Sequence, residues 1–73
     1  MGETDTEVIL DGTVERFVYR DEDTSFTVAR FQAGVEPVTI VGELVGVSEG
    51  LPLRLRGQWV VDRKWGKQFR VAT

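Results

Sequence analysis

The sequence predicts an all-β domain, a small five-stranded antiparallel barrel with no long helix. Three observations carry this. Runs of β-branched and aromatic residues recur from Val8 to Val71, and Gly, Pro or acidic clusters separate them. The third strand alternates cleanly, with Val38, Ile40, Gly42 and Leu44 against Thr39, Val41 and Glu43. No segment between runs is long enough for a helix of roughly ten residues.

The 73 residues set the scale. They make one domain at most, and a chain this short buries only about 60% of its unfolded surface. Cys, His and Asn are all absent. That removes disulfides, thiolate nucleophiles, Cys- or His-based metal sites and the usual general base near neutral pH. Packing alone has to stabilise the fold, which points to a reducing, cytoplasmic setting. No apolar run approaches the roughly 20 residues needed to cross a bilayer, so no membrane partner is expected. Met1–Thr6 formally fits a myristoylation pattern, but Glu3 and Asp5 oppose an anionic surface. Residues 1–7 are read as a disordered acidic tail, and residues 8–73 as the barrel.

Strands are expected near 10–20, 25–33, 37–45, 51–61 and 67–72. In the first, Leu10 and Val14 share one parity while Phe17 and Tyr19 share the other. A bulge near Glu15-Arg16 would turn all four inward. Asp21–Ser25 reads as a turn whose side chains bond their own backbone, favoured over a metal site because the three acids are adjacent. Gly46–Gly50 is too short for a helix and must bridge the barrel bottom as a tight loop. In the fourth strand Leu51, Leu53, Leu55, Gly57 and Trp59 share one face; Arg54, Arg56 and Gln58 share the other. Residues 62–67 form a basic hairpin loop before Phe69 and Val71 turn inward. The expected core is Leu10, Val14, Val28, Ile40, Leu53, Leu55, Phe69 and Val71. OB and SH3-like barrels both fit this count of strands.

Several phrases resemble a known family. They are Gly12-Thr13-Val14-Glu15-Arg16, Tyr19-Arg20 and Ser25-Phe26-Thr27-Val28-Ala29-Arg30, then Val41-Gly42, Leu53-Arg54-Leu55-Arg56-Gly57-Gln58-Trp59 and Trp65-Gly66-Lys67-Gln68-Phe69. Their order and spacing, from about Leu10 to Val71, resemble the N-terminal OB-like domain of RecD-like ATP-dependent DNA helicases (exodeoxyribonuclease V alpha-subunit-like). Trp65 stands where Tyr is commoner, and Ser25 where Gly often precedes the Phe. The resemblance implies an OB-like barrel within a bacterial, cytoplasmic 5′–3′ helicase of recombination and repair, which uses ATP and Mg²⁺. The motor itself is not in this stretch. Its Gly-Lys pair, Gly66-Lys67, precedes Gln68 in a hairpin, without the phosphate loop or following helix. The domain is therefore expected to be non-catalytic and to bind no cofactor.

Charge is divided unevenly along the chain. Residues 1–50 carry eleven acids and three bases, whereas residues 51–73 carry Asp62 against six bases. Such a split signals either a nucleic-acid face or two halves that pair across one barrel. Arg54, Arg56, Arg63, Lys64, Trp65 and Lys67 are the candidate single-stranded DNA contacts, cations beside an indole on which a base can stack. Arg30 is a further candidate. The competing readings pair Arg54 and Arg56 with Glu43 or Glu15, fold Trp65 over the barrel end, and place Trp59 in the core. As partners, the rest of the helicase chain and single-stranded DNA lead. A protein-interaction module docking a repair protein is the alternative. A free-standing RNA-binding barrel ranks lower, because it would show exposed aromatics on two successive strands, whereas Phe26 and Phe31 are of opposite parity and Phe17 and Tyr19 are expected inside.

Overall fold

The structure, a computed structural model, describes residues 7–64 and 66–72. Its strands are β1 (Val8–Arg20), β2 (Phe26–Ala33), β3 (Glu36–Glu43), β4 (Pro52–Asp62) and β5 (Gly66–Val71). They form a closed barrel in the order β1-β2-β3-β5-β4. The described residues contain no helix.

One pairing corrects the expectation of an all-antiparallel sheet. β3 and β5 run parallel, through Ile40↔Phe69 and Val41↔Arg70, while the other four contacts are antiparallel. The reason is topological. Directions cannot alternate all the way around a closed ring with an odd number of strands, so at least one adjacent pair must agree.

β1 is shared between two neighbours. Val8–Thr13 pairs with β4 and Thr13–Arg20 with β2. The bulge expected near Glu15 is present, between Val14 and Arg16, and a second lies between Phe17 and Tyr19. Each adds one unpaired residue, bends the strand and resets which face its side chains take. Gly12 and Gly57 permit the tight corners. A Cβ on Gly12 would collide with the Gln32 carbonyl, and one on Gly57 with the Arg70 carbonyl.

The loop 44–51 closes the barrel bottom without a helix. Its Leu44 side chain is buried and Val47 packs against the core. Leu44 N–H donates to the Ser25 carbonyl (3.1 Å) and Gly50 N–H to the Val14 carbonyl (2.7 Å). Arg20, with its guanidinium 4.6 Å from the Phe17 ring centroid, donates to the carbonyls of Val47 (3.2 Å) and Leu44 (3.1 Å). At the β1–β2 turn the Asp21 carboxylate accepts from the N–H groups of Asp23 (2.9 Å) and Thr24 (3.4 Å). This local capping role agrees with the turn reading. Ser25 then leaves the turn at φ 64°, a left-handed conformation that non-glycine residues seldom take.

The core consists of Val14, Ala29, Phe31, Val38, Ile40, Leu44, Leu55 and Phe69, with Leu10, Leu53 and Val71 half-buried against it. Val28 was expected in this core and is not there. β2 turns Thr27, Ala29 and Phe31 inward, so Val28 faces out with Phe26 and Arg30. The bulkier Phe31 takes the interior, and strand alternation then excludes Val28. Tyr19 is likewise outside, 53% exposed, because the second bulge undoes the inward setting that Phe17 keeps.

Replacing Leu55 with Ala should cost about 2–5 kcal/mol in urea denaturation, as expected for a buried leucine. Val28→Thr should cost less than about 1 kcal/mol, because its side chain lies outside the core. The reverse ranking would mean that the inward faces of β2 and β4 are wrongly assigned.

Candidate nucleic-acid interface

A groove of about 710 Å³ crosses the outer faces of β1, β2 and β3 and is flanked by the β4–β5 hairpin. This volume falls in the roughly 300–1,000 Å³ range of small-ligand sites. Val28 and Val41, cross-strand partners, supply apolar floor. Tyr19 and Phe26 stand at the groove with ring centroids 6.3 Å apart, both more than 40% exposed. Exposed aromatics therefore do occur on two successive strands. That corrects the inward placement of Tyr19 on which the low rank of an RNA-type barrel rested.

The second bulge also leaves Val18 on this outer side, 56% exposed. The first bulge brings Arg16 directly opposite Arg30 across β1 and β2. Arg30 donates weakly to the Thr39 hydroxyl (3.5 Å). Among the described residues neither arginine has a carboxylate within ion-pair distance. Like charges directly opposite in a sheet repel, so the pair leaves positive potential over an apolar floor.

The other wall is β4–β5. Asp62 and Gln68 line the groove from this side. Gln68 is only 8% exposed. The parallel β3–β5 ladder begins at Ile40 and Phe69. The residues just before them, Thr39 and Gln68, stand where the two strands part. The groove opens along that split.

The six residues expected at the site are separated by the fold. Arg54 and Arg56 lie on the β1–β4 seam. Arg54 Nε donates to Asp11 Oδ1 at 2.8 Å, and Arg56 Nε lies 3.7 Å from Glu7 Oε1. Asp11 raises the Arg54 guanidinium above its ordinary pKa, through this hydrogen bond first and its charge second. Both pairs are largely exposed, and such pairs contribute little to stability. The pairing account thus applies to these two arginines, with Asp11 and Glu7 rather than Glu43 or Glu15 as partners. Glu7, assigned to the tail, is part of that arrangement; residues 1–6 lie outside the described ones.

Arg63 and Lys64 occupy the exposed tip of the β4–β5 hairpin, next to Asp62 and so at the groove edge. Asp62 Oδ1 accepts from the Lys64 N–H at 2.7 Å, which shapes the tip. Lys67 points to the hairpin's other face, beside Val61, with its Nζ 4.5 Å from the Trp59 ring centroid. Trp59 packs edge-on against buried Phe69, centroids 5.2 Å apart, yet remains 37% exposed. It caps the core instead of lying within it. Trp65 lies outside the described residues.

Sequence reading missed Arg16, Tyr19, Phe26 and Gln68. A usable signal existed in β2. Placing Phe31 and Ala29 inward, on bulk and close packing, sends Phe26 and Arg30 outward together. The position of Arg16 depends on a bulge, which alternation alone does not locate.

A closed five-stranded barrel with strand order 1-2-3-5-4, and a groove across strands two and three beside the last hairpin, defines an OB-fold domain, a non-catalytic module. The family model described as "ATP-dependent DNA helicase YrrC, OB-fold domain" matches residues 6–73, and the chain belongs to that family. No curated protein and no solved structure gives a significant match.

The opposed arginines make a testable statement about the free protein. Arg16→Gln removes the repulsion and should raise stability by about 0.2–1 kcal/mol in urea denaturation at low salt. The gain should shrink near 1 M salt, where the screening length falls to about 3 Å. A loss of stability at low salt would show that Arg16 has a stabilising partner.

Proposed function

We propose that this domain is the accessory module with which an ATP-dependent 5′–3′ DNA helicase of recombination and repair holds single-stranded DNA. The strand lies along the β1–β2–β3 groove. One observation carries the reading: Arg16 and Arg30 stand side by side without carboxylate partners over an apolar floor, beside the exposed Tyr19–Phe26 pair. Arginines that repel one another in the free protein gain from a phosphate placed between them. Exposed rings at the groove offer faces on which bases stack, worth roughly 1–3 kcal/mol each. A duplex keeps its base faces covered, so the arrangement suits unpaired strands.

Arg63 and Lys64 at the hairpin tip extend the basic surface along the groove edge. Arg54 and Arg56 face β1 carboxylates and contribute less. ATP and Mg²⁺ belong to motor domains elsewhere in the helicase chain, which works in the bacterial cytoplasm. The domain positions DNA relative to that motor and takes no part in the chemistry.

Fluorescence anisotropy with labelled oligo-dT tests this. One phosphate shared by Arg16 and Arg30, with one each at Arg63 and Lys64, implies a log–log salt slope of about −2. With so many acids in the first fifty residues, the dissociation constant should be about 10⁻⁵ M near physiological salt, within the range of non-specific binders. Arg16→Glu with Arg30→Glu should abolish binding, Tyr19→Ala should weaken it about tenfold, and Arg54→Glu should change it little. Binding that survives the double substitution but is lost with Arg54→Glu would move the interface to the β1–β4 seam.

A further inference from the structure

Among the described residues, Gln68 is the one buried polar side chain lining this groove whose role neither packing nor the phosphate contacts explain. It is 8% exposed, yet no hydrogen bond to its carboxamide is present among the described residues. No buried side-chain nitrogen or oxygen is sealed off without a partner among the described residues. The Gln68 amide atoms therefore keep their remaining access to solvent.

The register gives the direction of that access. Phe69 fills the core at 0% exposure, so its neighbour Gln68 takes the opposite side of β5, opposite Val60 and on the groove side. There the β3–β5 ladder begins, and Thr39, one residue before it on β3, lines the same groove.

We propose that the split between β3 and the β4–β5 hairpin is the seat of a single unpaired nucleobase, held edge-on by the Gln68 carboxamide. This rests on the proposed single-strand contact and adds to it a site for one base. A carboxamide presents an N–H donor beside a carbonyl acceptor, the complement of the adjacent donor and acceptor on a base edge. On thymine that pair, N3–H beside a carbonyl oxygen, lies on the Watson–Crick edge and is free only when the base is unpaired. Val41 supplies apolar surface for the flat of the ring, and Arg16 and Arg30 lie close enough along the same groove to hold the adjoining phosphate. The un-neutralised arginines favour a polyanion over a peptide, whose backbone amides would also match the carboxamide. Base contact then discriminates single strands from a bare phosphate chain, which charge alone does not.

The test compares a fluorescein-labelled 15-mer of dT with a 15-mer abasic phosphodiester of equal charge, using anisotropy on this chain. With stacking removed by Tyr19→Ala and Phe26→Ala, the protein should still prefer oligo-dT over the abasic strand by about tenfold. Gln68→Leu, close in volume, should erase that residual preference while leaving abasic affinity and salt slope unchanged; an unchanged thermal melt verifies its fold. In the unsubstituted protein, the Gln68 side-chain NH₂ resonances should shift with oligo-dT and stay in place with the abasic strand. A residual preference that survives Gln68→Leu, or NH₂ resonances that move equally with both strands, would overturn the base seat alone. Failure of the wild type to bind either strand would overturn the single-strand reading itself, and the seat with it.

Discussion

Ring closure of the barrel depends on β1 pairing with two neighbours along its length. Its first half hydrogen-bonds β4 and its second half β2, and a straight strand cannot follow both. The bulges at Glu15 and Val18 supply the bend, and Gly12 removes the Cβ that would strike the Gln32 backbone. Once β1 is bent, β5 has one place left, beside β3. The odd strand count then makes that contact parallel.

The groove follows from the same closure. The parallel β3–β5 ladder joins few residues, so the strands separate at Thr39 and Gln68 and leave a cleft in the wall. The bulges that bend β1 also turn Arg16, Val18 and Tyr19 to the outer face of that cleft. Structural necessity and surface chemistry thus share residues: the features that close the ring also place charge and aromatic surface outside it. At the bottom, the Arg20 contacts to Leu44 and Val47 hold the short loop that closes the barrel.

Two local features leave interactions open, and both face the groove. Arg16 opposite Arg30 is a like-charge pair, and Gln68 is a largely buried side chain whose amide atoms keep access to solvent and bond no described residue. Elsewhere the domain follows ordinary practice. Its β1–β4 arginines are matched with carboxylates, and Asp21 bonds the backbone of its own turn. Both departures lie in the groove proposed to hold the strand.

Much of the architecture was legible in the amino-acid sequence. Alternation and turn residues located all five strands to within a few positions, the parity conflict between Val14 and Phe17 disclosed the first bulge, and short phrases such as Leu53–Trp59 carried the family likeness. The parallel contact was not read from the sequence, which led to an all-antiparallel expectation; it follows only once the five-stranded ring closes. The site was mostly hidden. Clustered charge drew attention to Arg54 and Arg56, but pairing with Asp11 and Glu7 depends on which strands are neighbours, and those residues lie more than forty positions apart. The second bulge, invisible to alternation, decided that Tyr19 faces out. Competition with Phe31 for the interior decided that Val28 does. Sequence determines the local period of a strand because sterics act between adjacent residues. Which face of that period meets water is decided only when the ring closes and the bulkiest side chains claim the space inside.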